Sequence, residues 1–387
     1  MSGISLYNLS PALQLMGVGL AVAALPLSWL AWRHRHASPA RRLQALTILT
    51  LFLTFDLILF GAFTRLTDSG LGCPDWPGCY GSASPAGAQV HIAAAQAAMP
   101  SGPVTHGKAW VEMVHRYLAT GVGVLILSLA AMTWRQWRRD AAQAVNPWWP
   151  SLTLVWVCIQ GAFGALTVTM KLFPAIVTLH LLFGIGLLAL LTTQAVHYDG
   201  WKSRMVPASM RKGLVLAWAL VWLQIALGGW VSTNYAVLAC SGFPSCNGSW
   251  WPSLDWQGFG LWRDLGHTAD GQVLPFAALT AIHYVHRSAA WLVLAVLFTV
   301  GWRLRAVQGL ARWANALLML AGLQLLTGMS NVVLDWPLVS AVAHTGGASA
   351  LVMVLTWALC VSRPSDSFQS EASDLTDASS FHSRPAA

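Results

Sequence analysis

Nine stretches of the chain are apolar over about 20 residues each, and polar or charged segments separate them. A helix needs about 20 apolar residues to cross the roughly 30 Å hydrocarbon core of a bilayer. Lipid offers no hydrogen bonds to a bare backbone, so stretches this apolar are expected to be helical. The predicted spans lie near residues 12–32, 43–64, 113–133, 149–170, 175–197, 212–232, 283–303, 312–332 and 338–361.

The composition excludes most soluble classes. Hydrophobic residues make up 56% of the 387-residue chain, charged residues make up 9%, and the mean hydropathy is +0.56. A soluble domain carries about 25% charged residues. Because so little charge cannot cover a soluble surface, a cytosolic enzyme, a disordered chain and a fibrous protein are excluded. The net charge of +8 is interpreted as an orientation signal, and no nucleic-acid partner is predicted.

The basic residues alternate between the segments that connect the spans. Sixteen of the 22 Lys and Arg residues lie on one side, which includes the C-terminal segment. The positive-inside rule places this side in the cytoplasm, and therefore the N-terminus and the long connections 65–112 and 233–282 outside. Residues 1–10 carry no Lys or Arg. A signal peptide has its positive charges before the apolar run, whereas here they follow it, so we expect the first span to be retained.

Several residue patterns recur after 164–171 positions. The matching pairs are His115 with His286, His180 with His344, Gln160 with Gln324, Cys73 with Cys240, and Cys79 with Cys246. The repeat unit holds four spans, an even number, so both copies cross the membrane in the same sense. We therefore predict an all-α integral membrane protein with two repeated four-helix bundles, which form an eight-helix core, plus one extra N-terminal transmembrane helix.

The repeat and the charge pattern also give segment boundaries. The tail from Pro364 onward is rich in Ser and Asp, a composition typical of disorder. The predicted segments are 1–42 (extra helix and basic inner loop), 43–197 (first four-helix repeat), 198–211 (inner linker), 212–361 (second four-helix repeat) and 362–387 (disordered tail).

Four histidines lie at one depth in the predicted membrane. His115 and His286 open the third and seventh spans, and His180 and His344 lie six or seven residues into the fifth and ninth. Ionisable residues inside a membrane are energetically costly, so they are candidate functional residues. A hydrogen bond to a neighbouring helix is the alternative for any one of them. Zn or Cu would need further close ligands, of which only Glu112 is available, whereas haem needs just two axial ligands from facing helices.

The two copies differ three residues before the first histidine, where Glu112 in one copy corresponds to His283 in the other. The i, i+3 spacing places Glu112 on the same helix face as His115. The carboxylate is interpreted either as a general acid or base or as a group that orients the histidine. Arg116 and Arg287 each follow a candidate ligand. They either pair with haem propionates or extend toward the interface.

Two cysteine pairs lie in the predicted outer loops. Cys73 and Cys79 are six residues apart, as are Cys240 and Cys246. An oxidising compartment favours a disulfide in each loop, which serves either as a structural staple or as a redox-active pair. The spacing disfavours a zinc site. The sequence has no C-x-x-C-H motif, so covalent haem attachment is not expected.

These residues carry a resemblance to a known family. Gly61-Ala-Phe-Thr-Arg-Leu-Thr-Asp-Ser-Gly-Leu-Gly-Cys-Pro-Asp-Trp-Pro-Gly-Cys79 resembles the first outer-loop signature of the haem A synthases. Glu112-Met-Val-His115-Arg116 is similar to their Glu-x-x-His-Arg motif. The resemblance covers roughly residues 43–361, with four histidines in matching order. The span 12–32 departs from the eight-helix core of that family.

The resemblance implies a membrane oxidoreductase that converts haem O to haem A. A methyl group of the haem would be oxidised to a formyl group by successive hydroxylations. The first half would bind the substrate haem, and the second half would hold a haem b cofactor. The implied roles are substrate-haem ligand for His115 and His180, haem b ligand for His286 and His344, and catalysis for Glu112, Cys73 and Cys79.

The resemblance also implies a place in cytochrome oxidase assembly in the bacterial inner membrane. The expected partners are the haem O substrate, a membrane electron acceptor and the lipid bilayer. A haem O-producing enzyme and a second copy of the chain are further candidates. A di-haem b-type electron-transfer protein fits the four histidines equally well, but a symmetric electron carrier has no need of Glu112. A transporter would carry charged or broken helices at mid-membrane, which we do not expect here.

Overall fold

The computed structural model describes residues 10–141, 145–201 and 203–365. In these ranges nine helices are long and apolar enough to cross a membrane. This confirms the prediction of an all-α integral membrane protein. The helices are α1 (Ser10–Arg33), α2 (Pro39–Leu66), α3 (Gln89–Ala98), α4 (His106–Arg139), α5 (Trp148–Thr169), α6 (Pro174–Asp199), α7 (Ala208–Thr233), α8 (Phe276–Leu304), α9 (Ala311–Val333) and α10 (Leu338–Val361), of which the short α3 does not span.

The eight helices after α1 that are long enough to span form two closed rings. In the first ring α2, α4, α5 and α6 each pack against the next, and α6 packs against α2. In the second ring α7, α8, α9 and α10 pack in the same cyclic order. The rings meet where α6 and α10 pack together, flanked by contacts of α2 with α10 and of α6 with α7. This arrangement supports the predicted pair of four-helix bundles, although the repeat itself stays a prediction.

Helix α4 begins at His106, well before the span that hydropathy predicted. The hydroxyl of Thr105 caps it by accepting a hydrogen bond from the backbone amide of Lys108 at 3.3 Å. Such a cap satisfies one of the first backbone N–H groups of a helix. The first two turns are polar, and they extend the helix toward the segment that carries Cys73 and Cys79. Hydropathy alone detects only the apolar part of such a helix.

Helix α1 lies outside both rings and packs against α4 and α2. Gly19 and Gly121 let the α1 and α4 backbones approach closely, because a methyl group on Gly19 would clash with the Thr120 side chain. Nearer the start of α1, Leu15 joins a buried cluster with Cys73 and Cys79. The extra helix therefore also supports a cysteine loop.

Two long segments, residues 67–105 and 234–275, connect helices at the same end of the rings, which we name the cysteine-loop end. They contain α3 and two short 3-10 turns, Ala236–Leu238 and Trp256–Phe259. Disulfides join Cys73 to Cys79 and Cys240 to Cys246, as predicted. The sequence pattern missed α3, because a ten-residue Ala-rich helix gives little periodic signal.

The predicted tail boundary is wrong by four residues. Ser362–Ser365 form a short strand, β2, that pairs in parallel with β1, Arg204–Pro207. The guanidinium of Arg211 also donates to the carbonyl oxygen of Ser362 at 2.5 Å. The strand exists because a distant segment, the predicted inner linker, supplies its hydrogen-bond partners, and local composition does not reveal this. The predicted disorder beyond Ser365 falls outside the described residues.

One carboxyl group lies within α2, contrary to the expectation of no charge at mid-membrane. Asp56 is exposed on the helix surface and does not line the cavity described below. A single Asp barely lowers the mean hydropathy of a long apolar window, so the span was still recognised. Since the side chain faces away from the cavity, it gives no support to a transport path through the bundle.

The two rings are also joined through side chains at the cysteine-loop end. Asp68 accepts a hydrogen bond from the Tyr235 hydroxyl at 2.6 Å and pairs with the Lys108 ammonium at 3.2 Å. The Arg65 guanidinium lies 4.1 Å from the Tyr235 ring centroid and donates to the Ser232 carbonyl. Burial alone would raise the pKa of Asp68, but the Tyr235 and Lys108 hydrogen bonds and the charges of Lys108 and Arg65 lower it.

Replacing Asp68 by asparagine is expected to lower the Tm of the purified chain at neutral pH. A carboxylate whose pKa is lowered in the folded state stabilises the fold above its unfolded pKa, and this contribution is lost as the pH falls through the folded pKa. The difference from wild type should therefore disappear in acid. Thermal unfolding in detergent measures it, with the exposed loop variant Asp270→Asn as the control. Equal Tm values for both variants at neutral pH would contradict the prediction.

Candidate functional site

A continuous cavity of about 1180 Å³ lies between the helices of both rings. Sites for drug-sized ligands usually measure about 300–1,000 Å³, so this cavity is large enough for a bulky ligand. Its walls are mostly apolar side chains and glycines. The four histidines that the sequence singled out all line it: His115, His180, His286 and His344.

In the first ring, two glycines leave room for the two imidazoles. A methyl group on Gly61 of α2 would lie 3.0 Å from Cε1 of His115 on α4. A methyl group on Gly164 of α5 would lie 3.2 Å from Cε1 of His180 on α6. The Phe60 ring stacks against the His115 ring with centroids 6.2 Å apart. Nδ1 of each of the two histidines is buried without a hydrogen-bond partner.

The second ring repeats the glycine arrangement with different polar neighbours. Methyl groups on Gly228 and Gly328 would lie 2.9 Å and 3.3 Å from Cε1 of His286 and His344. Here each Nδ1 has a neighbour. Gln224 Nε2 lies 3.1 Å from Nδ1 of His286, and Thr327 Oγ1 lies 2.9 Å from Nδ1 of His344. Neither Gln224 nor Thr327 was predicted from the sequence, because a glutamine or threonine in an apolar span gives no signal of what it contacts.

A pair of glutamines holds the backbone beside one histidine in each ring. Gln160 donates to the carbonyl oxygen of His180 at 3.0 Å, and Gln324 donates to that of His344 at 3.1 Å. These bonds tie α5 to α6 and α9 to α10 next to the cavity. Gln160 and His180 were predicted to correspond to Gln324 and His344, because each residue recurs after 164 positions. The two equivalent hydrogen bonds support that correspondence.

The donor set fits haem better than a bare metal ion. Among the described residues, no three His, Cys, Asp or Glu side chains gather closely enough to hold a metal ion. Haem supplies four nitrogen ligands itself and needs only axial ones, which two histidines from facing helices provide. The paired histidines, the apolar walls and the glycines that leave room for the imidazole rings match that requirement. His115 with His180 would hold one haem, and His286 with His344 would hold another.

Glu112 occupies the wall of the cavity, one helical turn from His115, and is 4% exposed. One carboxylate oxygen accepts a hydrogen bond from the backbone amide of Cys73 at 2.7 Å. The other accepts from the Arg116 guanidinium at 2.5 Å. The carboxylate therefore connects the candidate ligand helix to the first cysteine loop, a role that the sequence did not indicate. At the corresponding place His283 is buried and carries no carboxylate.

The two arginines predicted to contact propionates bind the cysteine loops in this structure. Nη1 of Arg116 donates to the carbonyls of Asp75, Pro77 and Gly78 at 3.0, 3.1 and 2.6 Å. Arg287 donates to the carbonyls of Cys240, Gly242 and Ser245 at 3.0, 2.8 and 3.3 Å. Each guanidinium thus holds a loop over its half of the cavity, and the propionate contacts stay predictions.

The first cysteine pair is enclosed. Cys73 and Cys79 have no exposed surface, and the amide of Cys73 binds Glu112. Arg65, at the end of α2, also lines the cavity and bonds to the Ser232 carbonyl of the second ring. Arg65 was not predicted as a site residue, although a charged residue at the end of an apolar span is a signal that could have identified it.

Comparison with known proteins gives a consistent family. The profile of the cytochrome oxidase assembly protein family COX15-CtaA matches residues 44–356. A protein of Shewanella oneidensis named Heme A synthase is 38% identical over 314 residues, which cover 79% of this chain and 92% of that protein. The Heme A synthase of Caulobacter vibrioides is 28% identical over 347 residues, covering 81% and 94%. That of Halalkalibacterium halodurans is 27% identical over 335 residues, covering 83% and 95%.

The region matched by the family profile contains all four histidines, Glu112 and both cysteine pairs. It begins after α1 and ends within α10, so the extra helix α1 lies outside it. The resemblance first seen in two short motifs thus extends through both rings of helices. The chain belongs to the haem A synthase family of cytochrome oxidase assembly proteins.

Proposed function

We propose that this protein is a haem A synthase, an oxidoreductase that converts haem O to haem A for terminal oxidases. The proposal rests on one main observation: four histidines line one membrane cavity as two facing pairs, and only the first pair has a carboxylate beside it. The named relatives, which share most of the chain, support the same activity. In this reaction a methyl group of the haem becomes a formyl group by successive hydroxylations.

The two halves are proposed to have different tasks. His115 and His180 bind the iron of the substrate haem, and His286 and His344 bind a haem b cofactor. Bound haem b supplies one-electron redox chemistry at its iron. The asymmetry at Glu112 and His283 supports this division, because the half that carries out chemistry needs a group that exchanges protons.

The residues around the first histidine pair are proposed to position and enclose the substrate. Glu112 and Arg116 hold the Cys73–Cys79 loop against α4 through direct hydrogen bonds. This closes the cysteine-loop end of the cavity and excludes water from the reacting methyl group. Glu112 is the proposed general acid or base, since it lies in the cavity wall. Cys73 and Cys79 are proposed to take part in the reaction, which requires movement of their buried loop.

The proposed setting is the bacterial inner membrane, with the cysteine loops outside and the C-terminus in the cytoplasm. The nine apolar helices account for residence in a lipid bilayer. A membrane electron acceptor is proposed to take the electrons released by the oxidation. A haem O-producing enzyme is a proposed partner, because haem O carries a long apolar tail that favours transfer within the membrane. A homo-oligomer is a further proposal.

A di-haem electron-transfer protein is the second candidate function. The paired histidines favour it as much as they favour the enzyme. The single carboxylate at Glu112 favours the enzyme, because electron transfer between two haems has no use for a proton-exchanging group beside only one of them.

Haem extraction tests the proposal directly. The chain is co-expressed with a haem O-producing enzyme in a host that makes no haem A, and extracted haems are separated and identified by mass spectrometry. We expect haem A or its hydroxylated precursor with this chain and not with the variant His115→Ala. Unchanged haem O, with haem b bound to the purified chain and an electron acceptor present, would support the electron-transfer protein instead.

A further inference from the structure

The two histidine pairs differ in what holds the outer edge of each imidazole ring. In the second ring of helices, Nδ1 of His344 and Nδ1 of His286 each lie within 3.1 Å of a polar side chain. In the first ring, Nδ1 of His115 and of His180 are buried without a partner. Each of the four imidazole rings lies beside a glycine. The difference in Nδ1 partners therefore comes from the other side chains around the rings.

Resting on the proposed function, we propose that Thr327 and Gln224 are positioning residues that make His344 and His286 permanent haem ligands. We also propose that the lack of such partners in the first half keeps its haem site exchangeable. A cofactor must stay through many turnovers, whereas a substrate haem must enter and its product must leave. The two halves therefore need ligands of different strength.

The bond of Thr327 to the Leu323 carbonyl favours one direction for its contact with His344. Its hydroxyl has one proton, and the oxygen lies 2.7 Å from the carbonyl oxygen of Leu323, which can only accept that proton. The same oxygen, 2.9 Å from Nδ1 of His344, is then left to accept a hydrogen bond from the ring. In this arrangement Nδ1 carries the ring proton, and Nε2 keeps the lone pair that binds a metal. A partner on the far nitrogen fixes the tautomer and orientation of a ligating histidine and raises its basicity.

Gln224 holds His286 at two points. Its side-chain nitrogen lies 3.1 Å from Nδ1 and 3.0 Å from the backbone oxygen of the same histidine. Its side-chain oxygen is buried without a partner. Because the amide donates to that backbone oxygen, its nitrogen is the atom that lies beside Nδ1, and Gln224 anchors the helix backbone at His286. A polar group therefore fixes the position of the Nδ1 edge, and Nε2 points away from it.

The first half has apolar residues at the equivalent places. Gln224 lies four residues before Gly228, and Leu57 lies four residues before Gly61. Thr327 directly precedes Gly328, and Phe163 directly precedes Gly164. Neither a Leu nor a Phe side chain accepts a hydrogen bond from an imidazole. Loss of such a partner typically weakens metal binding by about 10–100-fold.

The test uses the full chain, purified with its haem b. Thr327→Val removes the hydroxyl at nearly constant volume, Gln224→Leu introduces the first-half residue, and Thr327→Ser keeps the hydroxyl. Thr299→Val is the matched control, since the Thr299 hydroxyl bonds only to the Ala295 carbonyl of its own helix. The readouts are the rate of haem b transfer to an excess of apomyoglobin, the midpoint potential and the low-spin electron paramagnetic resonance spectrum.

We expect Thr327→Val and Gln224→Leu to release haem b about 10-fold faster or more. For Thr327→Val we also expect a higher midpoint potential and a shifted low-spin signal, because a less basic imidazole stabilises the ferric iron less. Thr327→Ser and Thr299→Val should match wild type. Wild-type release rates and potentials in both Thr327→Val and Gln224→Leu would overturn the inference. So would equal losses in Thr327→Val and Thr327→Ser, since the hydroxyl would then be irrelevant.

A reciprocal variant tests the inference even if the second-half variants fail to accumulate in membranes. Leu57→Gln with Phe163→Thr gives the first half the partners of the second, and it should slow release of the first-half haem. Unchanged first-half release in that variant would overturn the inference. Failure of the proposed function is distinct: a wild-type chain that retains haem b but never forms haem A refutes the enzyme and leaves the positioning roles intact.

Discussion

Replacing His286 by alanine is expected to strip the purified protein of haem b. The imidazole is one of the two proposed axial ligands, and the alanine methyl group that replaces it beside Gly228 cannot bind a metal. Loss of a direct ligand should weaken retention by more than the roughly 10–100-fold that loss of a supporting hydrogen bond costs. His344→Ala should do the same from the facing helix. Visible spectra of reduced and oxidised protein and haem extraction measure the effect.

His283→Ala is the matched control for this prediction. The residue lies three positions before His286 on the same helix, is buried and lines the same cavity. It is not a proposed ligand, so its variant should keep a low-spin haem b spectrum. Normal low-spin spectra in both His286→Ala and His344→Ala would overturn the ligand assignment for the second half. Loss of haem in the control alone would move the assignment to His283.

Replacing Glu112 by alanine is expected to abolish haem A formation and to leave the haem b spectrum unchanged. A general acid or base contributes about 10²–10⁴-fold to a rate, so haem A should fall by about 100-fold or more. The haem b spectrum should survive, because Glu112 contacts the first cysteine loop and not the second pair of histidines. Mass spectrometry of extracted haems measures the product, and the spectrum of the same membranes measures haem b.

The hydrogen bonds of Glu112 create a second explanation, which a further variant separates. Glu112→Gln keeps an oxygen for the Cys73 amide and loses the ability to exchange a proton, so on the proposed mechanism it should be as inactive as Glu112→Ala. Arg116→Met removes the clamp on the loop carbonyls and leaves the carboxylate. Full activity in Glu112→Gln would exclude proton exchange. If Arg116→Met is as inactive as Glu112→Gln, both proton exchange by Glu112 and the Arg116 hydrogen bonds to the first cysteine loop are needed for activity.

Much of the fold followed from hydropathy. Residues 338–361, for example, were predicted as a span, and α10 has those bounds. Spans are predictable because a stretch of about 20 apolar residues is more stable in lipid than in water, and this preference depends only on its own composition. The predictions were wrong where the structure depends on specific hydrogen-bond partners and not on composition. The polar start of α4 depends on the Thr105 cap, and the strand Ser362–Ser365 depends on a partner far away in the chain.

The sequence by itself determined the membrane class, the four candidate histidines, the cysteine pairs and the asymmetry at Glu112. These are properties of residue type, order and spacing. Only the tertiary structure decided what each of these side chains touches. Arg116 and Arg287 hold loop carbonyls, and Thr327 and Gln224 contact ring nitrogens from neighbouring helices. A hydrogen bond depends on a few tenths of an ångström between residues brought together by packing, and a one-dimensional pattern carries no such distance.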